Sequence, residues 1–290
     1  MGISFDSSPN SMVVNNQSID TSVSASSGGH TLHVKAWAGG GIVCVKDISI
    51  DVASESSSTS ASSATQSIPS SADSVSNLEV LDSWSGKHDS GGAGSSSGYT
   101  ATVSSPSQYG SSRQFVTSFK NNGTERYSVA FSDNTSAENF FYDGWVYLTS
   151  SASMLANLEL DINQTMPNGQ TALIGVQCDG WTGNWAYNVN TGSASSPRPH
   201  WQSASGTSCN PASWKQYSWH HVQFSVTRNN SGTVYYRSIW LDGKQTTLNK
   251  SAFVAADLGW GPVVNTQFQI DGRGDGHVTA YLDSLKISMW

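Results

Sequence analysis

The chain has 290 residues and a formal net charge of −7, with 14 Lys and Arg against 21 Asp and Glu. This charge argues against partners that need a basic surface, so we expect neither a nucleic acid nor an anionic membrane, and polyanionic substrates are disfavoured. No stretch approaches the about 20 apolar residues of a membrane span, and we expect any export signal to lie outside this sequence. The abundance of Ser, Gly, Asn and Thr, together with 11 Trp and 10 Tyr, favours strands and turns over helices.

The first predicted element is a β-hairpin in residues 30–52, "HTLHVKAWAGGGIVCVKDISIDV". Two alternating segments flank the turn signal "AGGG". The pair resembles the closing hairpin of bacterial immunoglobulin-like modules that precede catalytic or binding domains in secreted proteins. Because the resemblance covers only the last half of such a module, we predict that residues 1–53 form a partial Ig-like β module.

A Ser-rich segment follows at residues 54–76. It contains too few apolar residues to fold alone and is a linker by composition. We therefore place a domain boundary there, although the segment could equally lie along the surface of the next domain.

Short alternating segments separated by turn signals fill residues 77–290. None of them sustains a helical period, so the pattern predicts an all-β sandwich or jelly roll. Cys178 and Cys209 bracket a stretch rich in Trp and Gly, and we predict a disulfide between them, which indicates an oxidising, extracellular compartment. The alternative is a pair of reduced cysteines. Cys44 is predicted to be a small apolar core residue.

Two neighbouring predicted strands within residues 157–181 carry polar side chains in a row. Read with period two, Leu158, Leu160 and Ile162 face one way. The polar row on the other face consists of Glu159, Asp161, Asn163, Gly175, Gln177 and Asp179.

Two further stretches point to a family. A Trp-His pair opens an apolar strand in "SWHHVQFSVTRNNSGTVYYRSIWLDGK", and the chain closes with "VTAYLDSLKISMW". Over residues 77–290 the chain thereby resembles the concanavalin A-like lectin and glucanase superfamily. The resemblance implies a jelly roll of two bent antiparallel sheets, with a concave groove for a glycan chain into which the polar row would project. Gly175 would then leave room for a sugar ring. The alternative is an ordinary solvent-facing sheet.

Within that superfamily, family 16 glycoside hydrolases carry Glu-x-Asp-x-Glu, or Glu-x-Asp-x-x-Glu with a bulge, on the catalytic strand. The resemblance makes Glu159 the nucleophile and Asp161 the supporting carboxylate, but Asn163 and Gln164 occupy the acid/base positions. A retaining mechanism needs a second carboxyl about 5 to 5.5 Å away. Hydrolysis therefore requires Asp179, one strand over, or His221 as the acid.

The chain also resembles family 7-like polysaccharide lyases, which share this fold. Gln177 and Arg113 match two of their residues, but Asp179 stands where that family has His, and the C-terminal Tyr-Lys motif is absent. A groove lined by carboxylates also repels uronates. Of the three interpretations, the residues fit this one least.

The third interpretation is a lectin-like binding protein that uses aromatic platforms and polar groups. The segment "CDGWTGNWAYNVN" follows the polar row directly, and its loop residue Trp181 is the main platform candidate. The predicted substrate-binding residues are Asn163, Gln177, Trp181, Trp185, Tyr187 and His221.

We expect the chain to need no cofactor and to act as a monomer on a polysaccharide. Asp271 and Asp275 in "DGRGDGH" could hold a structural Ca²⁺, although a Gly-rich hairpin turn explains the same residues. Because the acid/base is missing from its expected position, the sequence favours recognition of a largely neutral extracellular polysaccharide. An endo-acting glycoside hydrolase is the alternative, and a structural or adhesin role is third.

Overall fold

The computed structural model describes residues 2–6, 12–13, 28–38, 41–52, 67–90 and 92–290. The chain forms two compact units, Met1–Thr65 and Gln66–Trp290. In the first unit an antiparallel sheet has the order β2-β1-β3-β4. Its strands are β1 (Gly2–Phe5), β2 (Met12–Val13), β3 (Gly28–Ala38) and β4 (Gly41–Val52).

The predicted hairpin corresponds to β3 and β4, which pair from Gly28 opposite Val52 to Ala38 opposite Gly41. Cys44 on β4 is exposed, so the prediction that it is a core residue is wrong. It pairs with Ala36 at the point where a bulge interrupts the ladder. The assignment of this unit to a partial Ig-like module stays a prediction.

The described residues of the second unit, 67–90 and 92–290, form sixteen strands and three short 3₁₀ helices. The strands are β5 (Asp73–Val75), β6 (Ser85–His88), β7 (Ser95–Val103), β8 (Ser112–Lys120), β9 (Thr124–Ser132), β10 (Asn139–Leu148), β11 (Leu155–Thr165), β12 (Thr171–Asp179), β13 (Asn184–Asn190), β14 (Pro199–Ser208), β15 (Trp219–Arg228), β16 (Thr233–Leu241), β17 (Lys244–Phe253), β18 (Ala255–Ala256), β19 (Val264–Gly272) and β20 (Gly276–Met289). The 3₁₀ helices are Leu78–Val80, Ser150–Met154 and Pro211–Ser213. No helix in the described part of the chain is long and apolar enough to cross a membrane.

These strands form two antiparallel sheets. The front sheet has the order β14-β13-β12-β11-β19-β9-β6, with β18 paired to β12. The back sheet has the order β17-β16-β15-β10-β20-β8-β7, with β5 paired to β20. The predicted all-β sandwich is therefore confirmed.

The hydrophobic core lies between the two sheets, because every second side chain of a strand points inward. Leu158, Leu160 and Ile162 of β11 are at most 1% exposed. Across the layer, the rings of Phe115 on β8 and Phe268 on β19 stack at 4.6 Å. Each such fully buried side chain stabilises the fold by about 1.5 to 3 kcal/mol relative to an exposed one.

The predicted linker, residues 54–76, is only partly described. Residues 54–66 lie outside the described residues, whereas β5 (Asp73–Val75) pairs with the last strand of the back sheet. The end of this segment therefore belongs to the second unit. The position of the boundary stays a prediction.

A disulfide joins Cys178 on β12 to Cys209, which directly follows β14. This bond confirms the predicted pair. Both residues are buried, at 0% and 3% exposure. The bond closes a loop with a sequence separation of 31 residues. It therefore ties the end of the edge strand β14 to β12.

Candidate functional site

The outward face of the front sheet contains a cavity of about 330 Å³, which we call the groove. This volume lies at the lower end of the range for small-molecule sites. The charged residues of its lining and the one tryptophan among them are Asp89, Arg126, Glu159, Asp161, Trp201 and Asp271. They come from four strands, β9, β11, β14 and β19, and from the segment that follows β6.

Strand register places the polar residues of β11 between polar neighbours. Glu159 lies between Gln177 on β12 and Gln269 on β19, and Asp161 lies between Gly175 and Gln267. Residues paired directly across strands point to the same face of the sheet. The polar residues of β12, β11 and β19 therefore form one patch that is three strands wide. The predicted alternation of β11 is therefore present in the structure, and its acidic residues line the groove.

The absence of a side chain at Gly175 lets Asp161 and Trp201 pack against the sheet at the centre of this patch, so the place predicted to admit a sugar ring is filled by these two side chains. A methyl group built on Gly175 would lie 2.8 Å from Trp201 Cη2 and closer still to Asp161 Oδ1. The indole of Trp201, on β14, therefore lies beside the floor of the groove. The site predicted from the sequence does not include Trp201, because the strand Pro199–Ser208 lacks an apolar alternation.

Glu159 on β11 and Asp271 on β19 are acidic residues that both line the groove. Burial raises the pKa of Glu159, which is 4% exposed, and the negative charges of Asp271 and Asp161 raise it further. Burial also raises the pKa of Asp271, while hydrogen bonds from Asn157 and Thr124 oppose that rise. Two neighbouring carboxyls disfavour carrying two negative charges, so each makes the other harder to ionise.

Asp161 is the second unusual acid of the groove. Burial raises its pKa to about 8, although the positive charge of Arg126 lowers it, and Asp89 and Asp271 raise it further. Arg126 itself is held 3.7 Å from the Asp89 carboxylate. Asp161 Oδ1 is buried and has no hydrogen-bond partner.

The carboxylate of Asp179, the predicted acid on the strand next to Glu159, hydrogen-bonds the turn that follows β12. Its carboxylate accepts hydrogen bonds from the backbone N–H of Trp181 at 2.8 Å and Thr182 at 3.2 Å, and from the Thr182 hydroxyl at 2.7 Å. It pairs with Asn157 across the strands and lies outside the groove lining. The carboxyl beside Glu159 is therefore that of Asp271, which the sequence suggested only as a metal ligand.

The two predicted amide ligands occupy different positions. Asn163 lines the groove, and its Nδ2 donates to Asn265 Oδ1 at 3.1 Å. Gln177 faces the same way as Glu159 but is 2% exposed and lies outside the lining, and its Oε1 has no hydrogen-bond partner.

The predicted aromatic platforms are not part of the groove. Trp181 is 57% exposed, and the Arg273 guanidinium lies 4.6 Å from its ring centre. Trp185 and Tyr187 are 1% and 8% exposed and belong to the core. The reason is register: they lie on β13 opposite Cys178 and Val176, which both point inward. We therefore leave Trp185 and Tyr187 out of the proposed binding surface.

His221 and Arg113 belong to the back sheet. His221, on β15, hydrogen-bonds Asp143 at 2.7 Å and stacks on Trp145 at 4.4 Å. Arg113 is 4% exposed and donates hydrogen bonds to the carbonyls of Glu79 and Leu81. The structure therefore brings neither side chain to the groove, and the acid role suggested for His221 has no geometric support.

The residues suggested for Ca²⁺ contact different partners. Asp271 lines the groove and accepts a hydrogen bond from Asn157 Nδ2 at 2.9 Å, whereas the exposed Asp275 accepts from the backbone N–H of Asn121 at 2.7 Å. Within the described ranges no group of three or more His, Cys, Asp or Glu side chains is arranged to hold a metal ion.

No family model matches the chain, and no curated protein matches it in sequence. Among solved structures, it is similar to a cellulose-induced protein at a TM-score of 0.44 and 13% identity, over 70% of this chain and 90% of that one. For a family 7 alginate lyase the TM-score is 0.37 with 14% identity, over 66% and 83% of the two chains. For a family 11 carbohydrate-binding module from Clostridium thermocellum the TM-score is 0.34 with 12% identity, over 74% and 94%. All three similarities are remote, so the proposals below rest on the groove itself.

Proposed function

We propose that the protein binds a largely neutral polysaccharide chain in the groove of the front sheet. The observation that carries this proposal is the Trp201 indole packed over Gly175 in the groove lining, next to a row of carboxyl and amide groups. Sugar rings present apolar faces that stack on aromatic side chains and hydroxyl edges that need polar partners. The disulfide supports an extracellular location.

The polar groups of the groove suit hydroxyl ligands. Asn163, Gln267 and Gln269 offer amide donors and acceptors, and the carboxyls accept hydrogen bonds strongly when they are ionised. The surplus of acids disfavours a uronate chain by charge repulsion. Affinity electrophoresis and calorimetry against soluble β-glucans test the proposal, and failure to bind any of them would leave a structural or adhesin role.

Gly175→Ala tests whether the positions of the Asp161 and Trp201 side chains determine ligand binding. The added methyl group would collide with Asp161 and Trp201, so we expect glycan affinity to fall at least tenfold. Both obstacles are side chains, and we expect the free energy of unfolding to change by less than about 1 kcal/mol. Gly261→Ala is the matched control, since a methyl group added there would meet no atom within 4 Å. Equal affinities of the two variants would contradict the assignment.

A second candidate function is glycoside hydrolysis, and the Glu159–Asp271 carboxyl pair favours it. Hydrolysis needs a carboxyl that donates a proton and a second carboxyl that acts on the sugar, and Glu159 and Asp271, which both line the groove, are the candidates for these roles. The raised pKa of Glu159 suits the acid better than the nucleophile that the family resemblance implied. New reducing ends released from β-glucans, and lost in Glu159→Gln, would establish an enzyme. Binding without any release would leave recognition as the function.

A further inference from the structure

The outward face of the back sheet, on the side of the sandwich opposite the groove, carries its own cluster of aromatic and polar side chains. Tyr142, Val146 and Leu148 of β10 are fully buried, so the residues that alternate with them point outward. Strand pairing places three of these outward residues beside three of β15 and three of β20. These nine positions, which we call the back-face array, are Asp143, Trp145, Tyr147, Trp219, His221, Gln223, Tyr281, Asp283 and Lys286. None of the nine is aliphatic, so the array combines aromatic rings with hydrogen-bonding groups.

Tyr147 lies at the centre of the aromatic part of the array. Its ring centre is 5.2 Å from that of Trp219 and 5.6 Å from that of Tyr281. Tyr217, two residues before β15, adds a third ring at 6.4 Å. Gln114 Nε2 donates to the Tyr281 hydroxyl at 2.8 Å and so fixes the ring that supports Tyr147 from one side. Tyr147 and Trp219 are half-buried and Tyr217 is 60% exposed, so a ligand can reach all three rings.

Tyr217 holds its position at a conformational cost. Its φ is 56°, in the left-handed region that a bulky side chain rarely adopts. Its backbone N–H donates to the Leu148 carbonyl at 2.8 Å, which fixes this segment against the end of β10. Backbone strain of this kind costs about 1 to 3 kcal/mol and clusters at functional sites. Because the Tyr217 ring is largely exposed, packing of the core does not account for the strain.

The polar residues of the array are paired, and its exposed charges balance. Asp143 accepts a hydrogen bond from Gln223 Nε2 at 2.8 Å and is joined to the His221 ring at 2.7 Å. Its partner on β20 is the exposed Lys286. Asp283 is fully buried, and its carboxylate accepts hydrogen bonds from the loop at 107–109. The array therefore presents one carboxylate and one ammonium group, in contrast to the acidic groove.

We propose that the back-face array, together with Tyr217, is a second binding surface for an uncharged polysaccharide. The proposal takes its ligand class from the proposed function but concerns a different face of the molecule. Sugar rings stack their apolar faces on aromatic side chains and offer hydroxyl groups to polar neighbours such as Gln223 and His221. Balanced charges give no attraction to a polyanion or a polycation, so they favour an uncharged chain.

The two surfaces face opposite directions, so one short chain cannot occupy both. The protein instead joins two chains, or holds a particle of insoluble polysaccharide through the array while the groove binds a free chain end or loop. The array is an open sheet face, so a soluble hexasaccharide gains little from it. An insoluble polysaccharide presents many chains side by side, and there the array adds binding by avidity.

Adsorption to suspensions of amorphous cellulose, insoluble β-1,3-glucan and insoluble β-mannan tests this inference. The array variant combines Tyr147→Ala with Tyr217→Ala. On the polysaccharide that the wild-type protein adsorbs to most strongly, we expect this variant to adsorb at least fivefold more weakly. Its affinity for the soluble hexasaccharide of the same linkage, measured by calorimetry, should stay within twofold of wild type. Trp201→Ala should show the opposite pattern, losing the hexasaccharide and retaining adsorption.

The matched control combines Tyr99→Ala with Tyr235→Ala. It also removes two tyrosines from the outward face of the back sheet, but both lie outside the array, on β7 and β16. We expect its adsorption to equal that of the wild-type protein. Thermal melts confirm that all variants are folded.

Each contrary result has a distinct meaning. Unchanged adsorption of the array variant, or an equal loss in the control variant, would overturn the inference and leave the groove as the binding site. Hexasaccharide binding by a wild-type protein that adsorbs to none of the three suspensions would do the same. A dimer that sedimentation detects in the wild type and not in the array variant would assign the array to a second copy of the chain instead. Neither adsorption nor hexasaccharide binding would count against the proposed function as well.

Discussion

Trp201→Ala is expected to weaken glycan binding at least thirtyfold, equivalent to about 2 kcal/mol, the scale of a central aromatic contact. Trp201 borders the groove floor next to Asp161 and Gly175, so its removal takes away the stacking surface and opens the floor to water. Calorimetry with the best-bound β-glucan or hexasaccharide measures the loss. Because Trp201 is only half-buried, the variant should remain folded.

Trp181→Ala is the matched control. It also removes an indole, but one that is 57% exposed, lies outside the groove lining and has the Arg273 guanidinium over its ring. We expect its affinity to stay within threefold of wild type. The reverse pattern, with binding lost in Trp181→Ala and kept in Trp201→Ala, would move the platform to the loop that the sequence favoured.

Removal of the disulfide is expected to cost roughly 3 to 4 kcal/mol of the free energy of unfolding, from the entropy of the loop that it closes. The variant carries both Cys178→Ala and Cys209→Ala. The bond that it lacks joins positions 31 residues apart in the sequence. Urea denaturation at equilibrium, followed by tryptophan fluorescence, gives the difference.

Cys44→Ala is the control for this comparison, because Cys44 is exposed and unpaired within the described residues. Its unfolding free energy should remain within about 0.5 kcal/mol of wild type. An unchanged midpoint in the double variant would mean that packing of the buried segment, and not the covalent bond, stabilises this part of the sheet.

The strands and the polar row of β11 could be predicted from the sequence because side chains alternate with a strict period of two. Glu159 and Asp161 follow from that rule alone, and so does Gly175, since β11 and β12 are joined by a short turn and therefore pair with each other. Asp271 could not be assigned in this way. Its strand, β19, is distant in sequence from β11 and becomes its neighbour only in the folded sheet.

The aromatic residues show a second limit. The sequence predicts Trp185 and Tyr187 as binding residues because they directly follow the polar row, but the intervening turn is short and β13 begins at Asn184. Both side chains then follow the inward alternation. Trp201 was missed because its strand is polar and lies at the edge of the sheet, where no apolar pattern marks it.

The alternation of β11 also limits which changes in chain length the groove can survive. Deleting one residue within 158–163 would reverse the two faces of part of the strand, directing Glu159 or Asp161 into the core and Leu160 towards solvent. Insertions or deletions in the hairpin turn at 166–170 leave both faces as they are, because the turn lies beyond the paired residues Thr165 and Thr171. A protein engineer can therefore lengthen the turn at its exposed residues 167–169, leaving the buried Met166 in place, but must change the strand itself by two residues at a time.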